Sequence, residues 1–165
     1  MATHLKNLSE YEPHKVPSAE GMKIGIIVAE WNSQITKSLY ESALKTLIKH
    51  GIKEEDIITR FVPGSFELTF AGKVFAENSD VDAVILLGCV IQGETRHFDF
   101  ICQSVTQGVT ELNLKYQIPF IFGILTTLTV VQAIERAGGK HGNKGDEAAI
   151  TAIKMVDFQR SFEKS

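Results

Sequence analysis

The segment Gly93-Glu94-Thr95-Arg96-His97 sets a glycine, a hydroxyl and an imidazole side by side, just ahead of a run with helical spacing. The first N–H groups of a helix have no intrahelical partner. Together with the positive end of the helix dipole they attract an anion. Gly93 permits close approach, Thr95 adds a hydroxyl donor, and His97 carries a ring that moves protons near pH 7. The same residues also read as an ordinary helix start, with Thr95 as N-cap and His97 at the surface.

The matching positive charges lie near the C-terminus. Arg136, Lys140, His141 and Lys144 fall in or beside Gly138-Gly139-Lys140-His141-Gly142-Asn143-Lys144-Gly145, whose four glycines in eight residues point to unusual dihedrals or close backbone approach. It is not a Walker loop, since no Lys-Ser/Thr pair precedes a helix. A solvated, helix-ending loop accounts for the basic residues equally well.

Trp31 is the sole tryptophan. A ring there could stack on a flat heterocycle or simply pack at the rim. Ser65-Phe66-Glu67 follows Pro63-Gly64, where Glu67 and free N–H groups could bind hydroxyls of a polyol. Phe122 could wall a crevice. Cys89 and Cys102 both sit on apolar faces and read as buried thiols in a reducing cytoplasm. The five histidines show no metal-ligand spacing, and no C-x-x-C occurs. No G-x-G-x-x-G follows the first strand, which leaves dinucleotide binding poorly supported.

These residues need a frame to bring them together. Residues 23–29 and 83–90 are almost wholly apolar, as suits strands covered on both faces. Two further strands are expected at 56–62 and at 120–125, the latter opened by Pro119. Ile35, Leu39, Tyr40, Ala43, Leu44, Leu47 and Ile48 form one stripe of a helix capped by Ser33 and ended by Gly51. Further helices are expected at 66–77, 97–116 and 130–137, with a last one carrying Ala149, Ala152, Ile153 and Val156. This alternation implies right-handed crossovers and a parallel sheet between helices, with ligands bound beyond the carboxyl ends of the strands. Residues 1–20 read as an N-terminal arm able to dock on a neighbour, 21–160 as one α/β domain, and 161–165 as a C-terminal tail.

Composition narrows the partners. The 165 residues carry a net charge of −3 with both signs interspersed, unlike the basic stripe of a nucleic-acid binder. No apolar run is long enough to span a bilayer, and no secretory leader is evident at the N-terminus.

Together, Pro63-Gly64-Ser65-Phe66-Glu67, Gly88-Cys89-Val90-Ile91-Gln92-Gly93-Glu94-Thr95-Arg96-His97-Phe98-Asp99 and the stretch from Gln132 to Gly145 resemble the lumazine synthase family of riboflavin biosynthesis. The likeness runs from about residue 20 to 158. It implies a flavodoxin-like, three-layer α/β sandwich with a four-stranded parallel sheet flanked by helices on both faces. It implies condensation of 5-amino-6-(D-ribitylamino)pyrimidine-2,4-dione with 3,4-dihydroxy-2-butanone 4-phosphate, giving 6,7-dimethyl-8-ribityllumazine with loss of phosphate and water. No cofactor and no metal are implied.

By position, the resemblance makes His97 the proton-transfer residue. Arg136, Glu94, Thr95 and Lys144 would hold the phosphate. Trp31, Ser65, Phe66, Glu67, Cys89, Val90, Ile91 and Phe122 would hold the pyrimidine and ribityl chain. Arg96 is given no catalytic role. The family's cytoplasmic members form pentamers, some assembled into sixty-subunit icosahedral shells, with the active site between adjacent subunits; a functional association with riboflavin synthase is also implied. A flavin carrier without catalysis and a purely structural shell protein are the competing readings. Lumazine formation from the two substrates separates them from the enzyme.

Overall fold

A computed structural model describes residues 7–163. Its four main strands are β1 (Ile24–Ala29), β2 (Ile57–Val62), β3 (Ala83–Ile91) and β4 (Phe120–Thr127). They pair in parallel in the order β2-β1-β3-β4. The helices are α1 (Ser33–Lys49), α2 (Leu68–Asn78), α3 (His97–Lys115), α4 (Val130–Glu135) and α5 (Lys144–Glu163).

The apolar runs become strands because both faces are covered. Ile24, Ile26 and Val28 point with Ala83, Ile85, Leu87 and Cys89 into a core shared with Leu39 and Leu47 of α1 and Ala149, Ala152 and Ile153 of α5. The alternate residues Ile27, Val84 and Leu86 enter a second core with Leu68 and Phe75 of α2 and Val105, Val109 and Leu112 of α3. The two-residue period of a strand thus divides one apolar run between two helical layers. Each fully buried Ile or Leu contributes roughly 1.5–3 kcal/mol relative to exposure. This is the expected three-layer sandwich.

Local expectations change in four places. Helix α1 starts at Ser33, but the N-cap is Asn32, in the left-handed region with φ 58° and ψ 45°. The stripe of α1 buries Ile35, Leu39, Ala43 and Leu47, while Ile48 is exposed. Residues 65–67 form a turn and α2 begins at Leu68. The glycine-rich stretch is an irregular antiparallel hairpin, β5 (Ala137–Gly139) and β6 (Gly142–Asn143), rather than a loop. Gly138 and Gly142 make this possible with φ of 104° and 80°. Helix α5 then starts at Lys144 and continues to Glu163. Its start is fixed by Asn143, whose Oδ1 accepts the Gly145 N–H at 2.8 Å.

The described part of the N-terminal arm folds back on its own chain; residues 1–6 of the arm and 164–165 of the tail lie outside the described residues. The Leu8 N–H donates to the His141 carbonyl at 2.7 Å, and the Asn143 N–H donates to Ser9 Oγ at 2.9 Å. Tyr11 meets His50, with the hydroxyl 3.2 Å from Nε2. Among the described residues, no helix is long and apolar enough to cross a membrane.

Candidate active site

Strand order reverses between β1 and β3, since the chain moves outward from β1 to β2 and then to β3 and β4 on the other side. Such a switch point opens a crevice at the carboxyl ends of the strands. A cleft of 580 Å³ lies there, lined by residues from the loops after β1, β2 and β3.

From the first loop come Trp31 and Asn32. The indole is 73% exposed, leaving its face open to a ligand. The Trp31 N–H donates to the Pro63 carbonyl at 3.1 Å, and the Glu30 N–H to the Val62 carbonyl at 2.8 Å. These bonds carry the β1–β2 ladder past the last paired residues.

From the second loop come Gly64, Ser65, Phe66 and Glu67. Ser65 is buried, whereas Phe66 and Glu67 are exposed. The Leu68 N–H donates to the Ser65 carbonyl at 3.3 Å, closing the turn.

Cys89, Val90 and Ile91 form the floor at the end of β3. Burial pushes the Cys89 thiol up to about 12. It therefore stays protonated at neutral pH and serves as an apolar wall rather than a nucleophile. The Gln92 N–H donates to the Thr127 carbonyl at 2.9 Å, which fixes where the chain leaves the strand.

Gly93, Thr95 and His97 close the cleft, with Phe98 and Ile101 of α3 beneath. The N-cap of α3 is Arg96, not Thr95. Thr95 Oγ1 instead accepts the His97 N–H over a long 3.4 Å. His97 is exposed at the first helical position, where its ring can reach a molecule in the cleft. Arg96 is turned outward to Asp99 at 3.4 Å and over the Phe100 ring.

Four residues expected at the site do not line this cleft: Glu94, Phe122, Arg136 and Lys144. Glu94 is exposed on the same loop, between two lining residues. Arg136 caps the end of α4, where its guanidinium donates to the Gln132 carbonyl at 3.0 Å. Phe122 and Lys144 line a separate depression with Asn113, Pro119 and Met155. Lys144 Nζ lies 3.0 Å from Glu147 Oε1. The cleft and the depression share no residue. Lys140 is exposed on the hairpin, and His141 Nε2 lies 3.8 Å from Glu135.

Asn32, Gly64, Phe98 and Ile101 also line the cleft, although the sequence assigns none of them a role there. Asn32 was legible only as the neighbour of Trp31; Phe98 and Ile101 belong to an apolar helical stripe that gives no hint of a ligand. Among the described residues, no three His, Cys, Asp or Glu side chains gather as a metal site.

The profile of the 6,7-dimethyl-8-ribityllumazine synthase family matches residues 21–160. Relatives bearing that name align over most of their length. The one from Parabacteroides distasonis is 63% identical over 158 residues, 96% of this chain and 99% of its own. That from Bacteroides fragilis is 60% identical, covering 87% of this chain and 100% of its own. That from Porphyromonas gingivalis is 56% identical, covering 97% and 99%.

Proposed function

The chain belongs to the 6,7-dimethyl-8-ribityllumazine synthase family, and from that membership we infer that it condenses 5-amino-6-(D-ribitylamino)pyrimidine-2,4-dione with 3,4-dihydroxy-2-butanone 4-phosphate. It is a transferase of riboflavin biosynthesis, and its substrates are small molecules. The supporting observation is the convergence of Trp31, the Ser65–Glu67 turn, the Cys89–Ile91 strand end, Thr95 and His97 on one cleft. The family membership favours the enzyme over the flavin-carrier and shell readings.

In this reading, Trp31 stacks on the pyrimidine ring while the Ser65–Glu67 turn takes the ribityl hydroxyls. The 5-amino group attacks the ketone carbonyl, and water leaves as the imine forms. Loss of a proton from the adjacent carbon and departure of phosphate follow. The enol left on the hydroxyl-bearing carbon tautomerises to a new ketone, and its terminal carbon becomes a methyl group. The ribitylamino nitrogen adds to that ketone, and a second water leaves as the ring closes. His97 carries protons in these steps. Arg136 and Lys144 hold the phosphate by charge, Thr95 by its hydroxyl and Glu94 by its backbone, with the first turn of α3 supplying N–H donors.

The enzyme is a homo-oligomer in this proposal, a pentamer with assembly into an icosahedral shell, working in the cytoplasm with riboflavin synthase as next in line. Exposed Phe66, Phe70, Phe100, Val130 and Val131 support burial against other copies. The separation of the His97 cleft from the depression holding Phe122 and Lys144 supports a site completed by the adjacent subunit.

Mixing the two substrates with the protein and following lumazine absorbance tests the activity. Co-expressing His97→Ala with Phe122→Ala subunits tests the sharing. Each variant alone is slow. Mixed assemblies regain part of the rate, because some sites draw an intact His97 from one subunit and an intact Phe122 from the next. No recovery on mixing overturns the shared site, and no lumazine from the unmodified protein overturns the function.

A further inference from the structure

Asn32 stands out on three counts. It is the one non-glycine residue with positive φ among the described residues. Its side chain makes no bond to the helix it caps. Instead, Nδ2 donates to the Cys89 carbonyl at 2.9 Å, across to β3.

The placement of that bond matters. The backbone register between β1 and β3 ends at Val28 and Leu87. Past the end of β1, the Glu30 and Trp31 N–H groups tie the chain to Val62 and Pro63 on the β2 side. The Asn32 carboxamide ties the same stretch to β3. Trp31 thus sits on a bridge anchored at both ends, to β2 by its own N–H and to β3 through the next residue. The Asn32 carbonyl also accepts the Ile35 and Thr36 N–H groups at 2.9 and 3.1 Å, which fixes the direction of α1. A left-handed residue is needed to turn from strand to helix within this span, and asparagine tolerates that conformation better than most L residues.

We propose that Asn32 is a positioning residue for the pyrimidine substrate: its left-handed backbone and its bond to the Cys89 carbonyl hold the Trp31 ring at a fixed angle over the cleft. This rests on the reading of Trp31 as the stacking ring. Asn32 itself need not touch the substrate. Its carboxamide is engaged with β3, and its action runs through the aromatic neighbour.

Trp31, as the only tryptophan, reports on itself. Time-resolved fluorescence anisotropy of the intact protein measures how freely the indole moves. Asn32→Gly keeps the left-handed turn accessible and removes the tether. Asn32→Asp keeps the shape and replaces the donor with a carboxylate facing the carbonyl. In both, the fast component of the Trp31 anisotropy decay grows. The KM for the pyrimidine amine rises about three- to tenfold, the scale of one net hydrogen bond, with the KM for the phosphate substrate unchanged. Unchanged anisotropy in both variants overturns the tether. Looser anisotropy with an unchanged pyrimidine KM overturns the positioning role. Trp31→Ala separates the premise: if it leaves the pyrimidine KM unaltered, the stacking assignment fails, while the anisotropy result still decides whether Asn32 holds the ring.

Discussion

Gly88 lies directly against Ser65. A methyl group at Gly88 would come within 2.6 Å of Ser65 Oγ and 3.0 Å of Leu68 Cδ1. The bare backbone of β3 therefore lets the Pro63–Glu67 turn settle onto the sheet and keeps Ser65 buried at the edge of the cleft. Gly88→Ala lifts that turn. Overpacking of this kind costs about 1–3 kcal/mol, and here it also raises the KM for the ribityl-bearing substrate. Gly72→Ala gives the comparison, because it meets Leu112 at 2.9 Å and lines no part of the cleft. Urea denaturation finds both variants destabilised; kinetics find a raised KM only for Gly88→Ala.

His97→Ala slows turnover by roughly 10²–10⁴-fold, the range for a positioned proton carrier. Because the ring is exposed at the start of α3 and packs into neither core, thermal stability stays near that of the unmodified protein. A rate within a few-fold of the original would remove His97 from the mechanism.

Arg136→Ala raises the KM for 3,4-dihydroxy-2-butanone 4-phosphate and leaves the pyrimidine KM alone. The guanidinium now rests on the Gln132 carbonyl within its own helix, a contact it can surrender to a phosphate, since a charge-assisted bond is the stronger one. A shift confined to the pyrimidine KM would contradict the phosphate assignment.

The arm has a pH dependence of its own. Burial, followed by the nearby Lys49 charge, lowers the His50 pKa below its ordinary 6.5. The folded state then binds fewer protons than the unfolded chain just below that value, so His50 contributes stability above pH 6.5 that is lost as pH falls through the lowered value. The Tyr11 ring and hydroxyl that rest on His50 loosen in the same window. Melting temperatures of the unmodified protein and His50→Gln, compared as pH falls below 6.5, converge if this account holds. Parallel curves count against it.

Most of the frame is legible in the sequence because burial on two faces leaves no other use for runs such as Ala83–Val90, and because Gly51, at φ 102°, is a simple helix stop. The candidate cleft is legible where residue type and the family resemblance point the same way, as with His97, Trp31 and Ser65–Glu67, which line it together. It is illegible where geometry, not type, decides. Nothing in the letter N at position 32 says that its amide reaches β3. The hairpin at 137–143 looks like a loop because its pairing is short and irregular, and because part of its support comes from Leu8 and Ser9, far away in sequence. Likewise, the start of α5 at Lys144 depends on the turn made by Asn143, while its apolar face begins only later.

Helix α5 supplies Ala148, Ala149, Ala152, Ile153 and Val156 to the core that also covers one face of β1 and β3. It follows every strand in chain order. During synthesis the N-terminal parts emerge first, so all four strands leave the ribosome with only α1 available to cover that face and the share of α5 still missing. The nascent chain must therefore wait for its last turns before either the sheet or the cleft above it can become permanent.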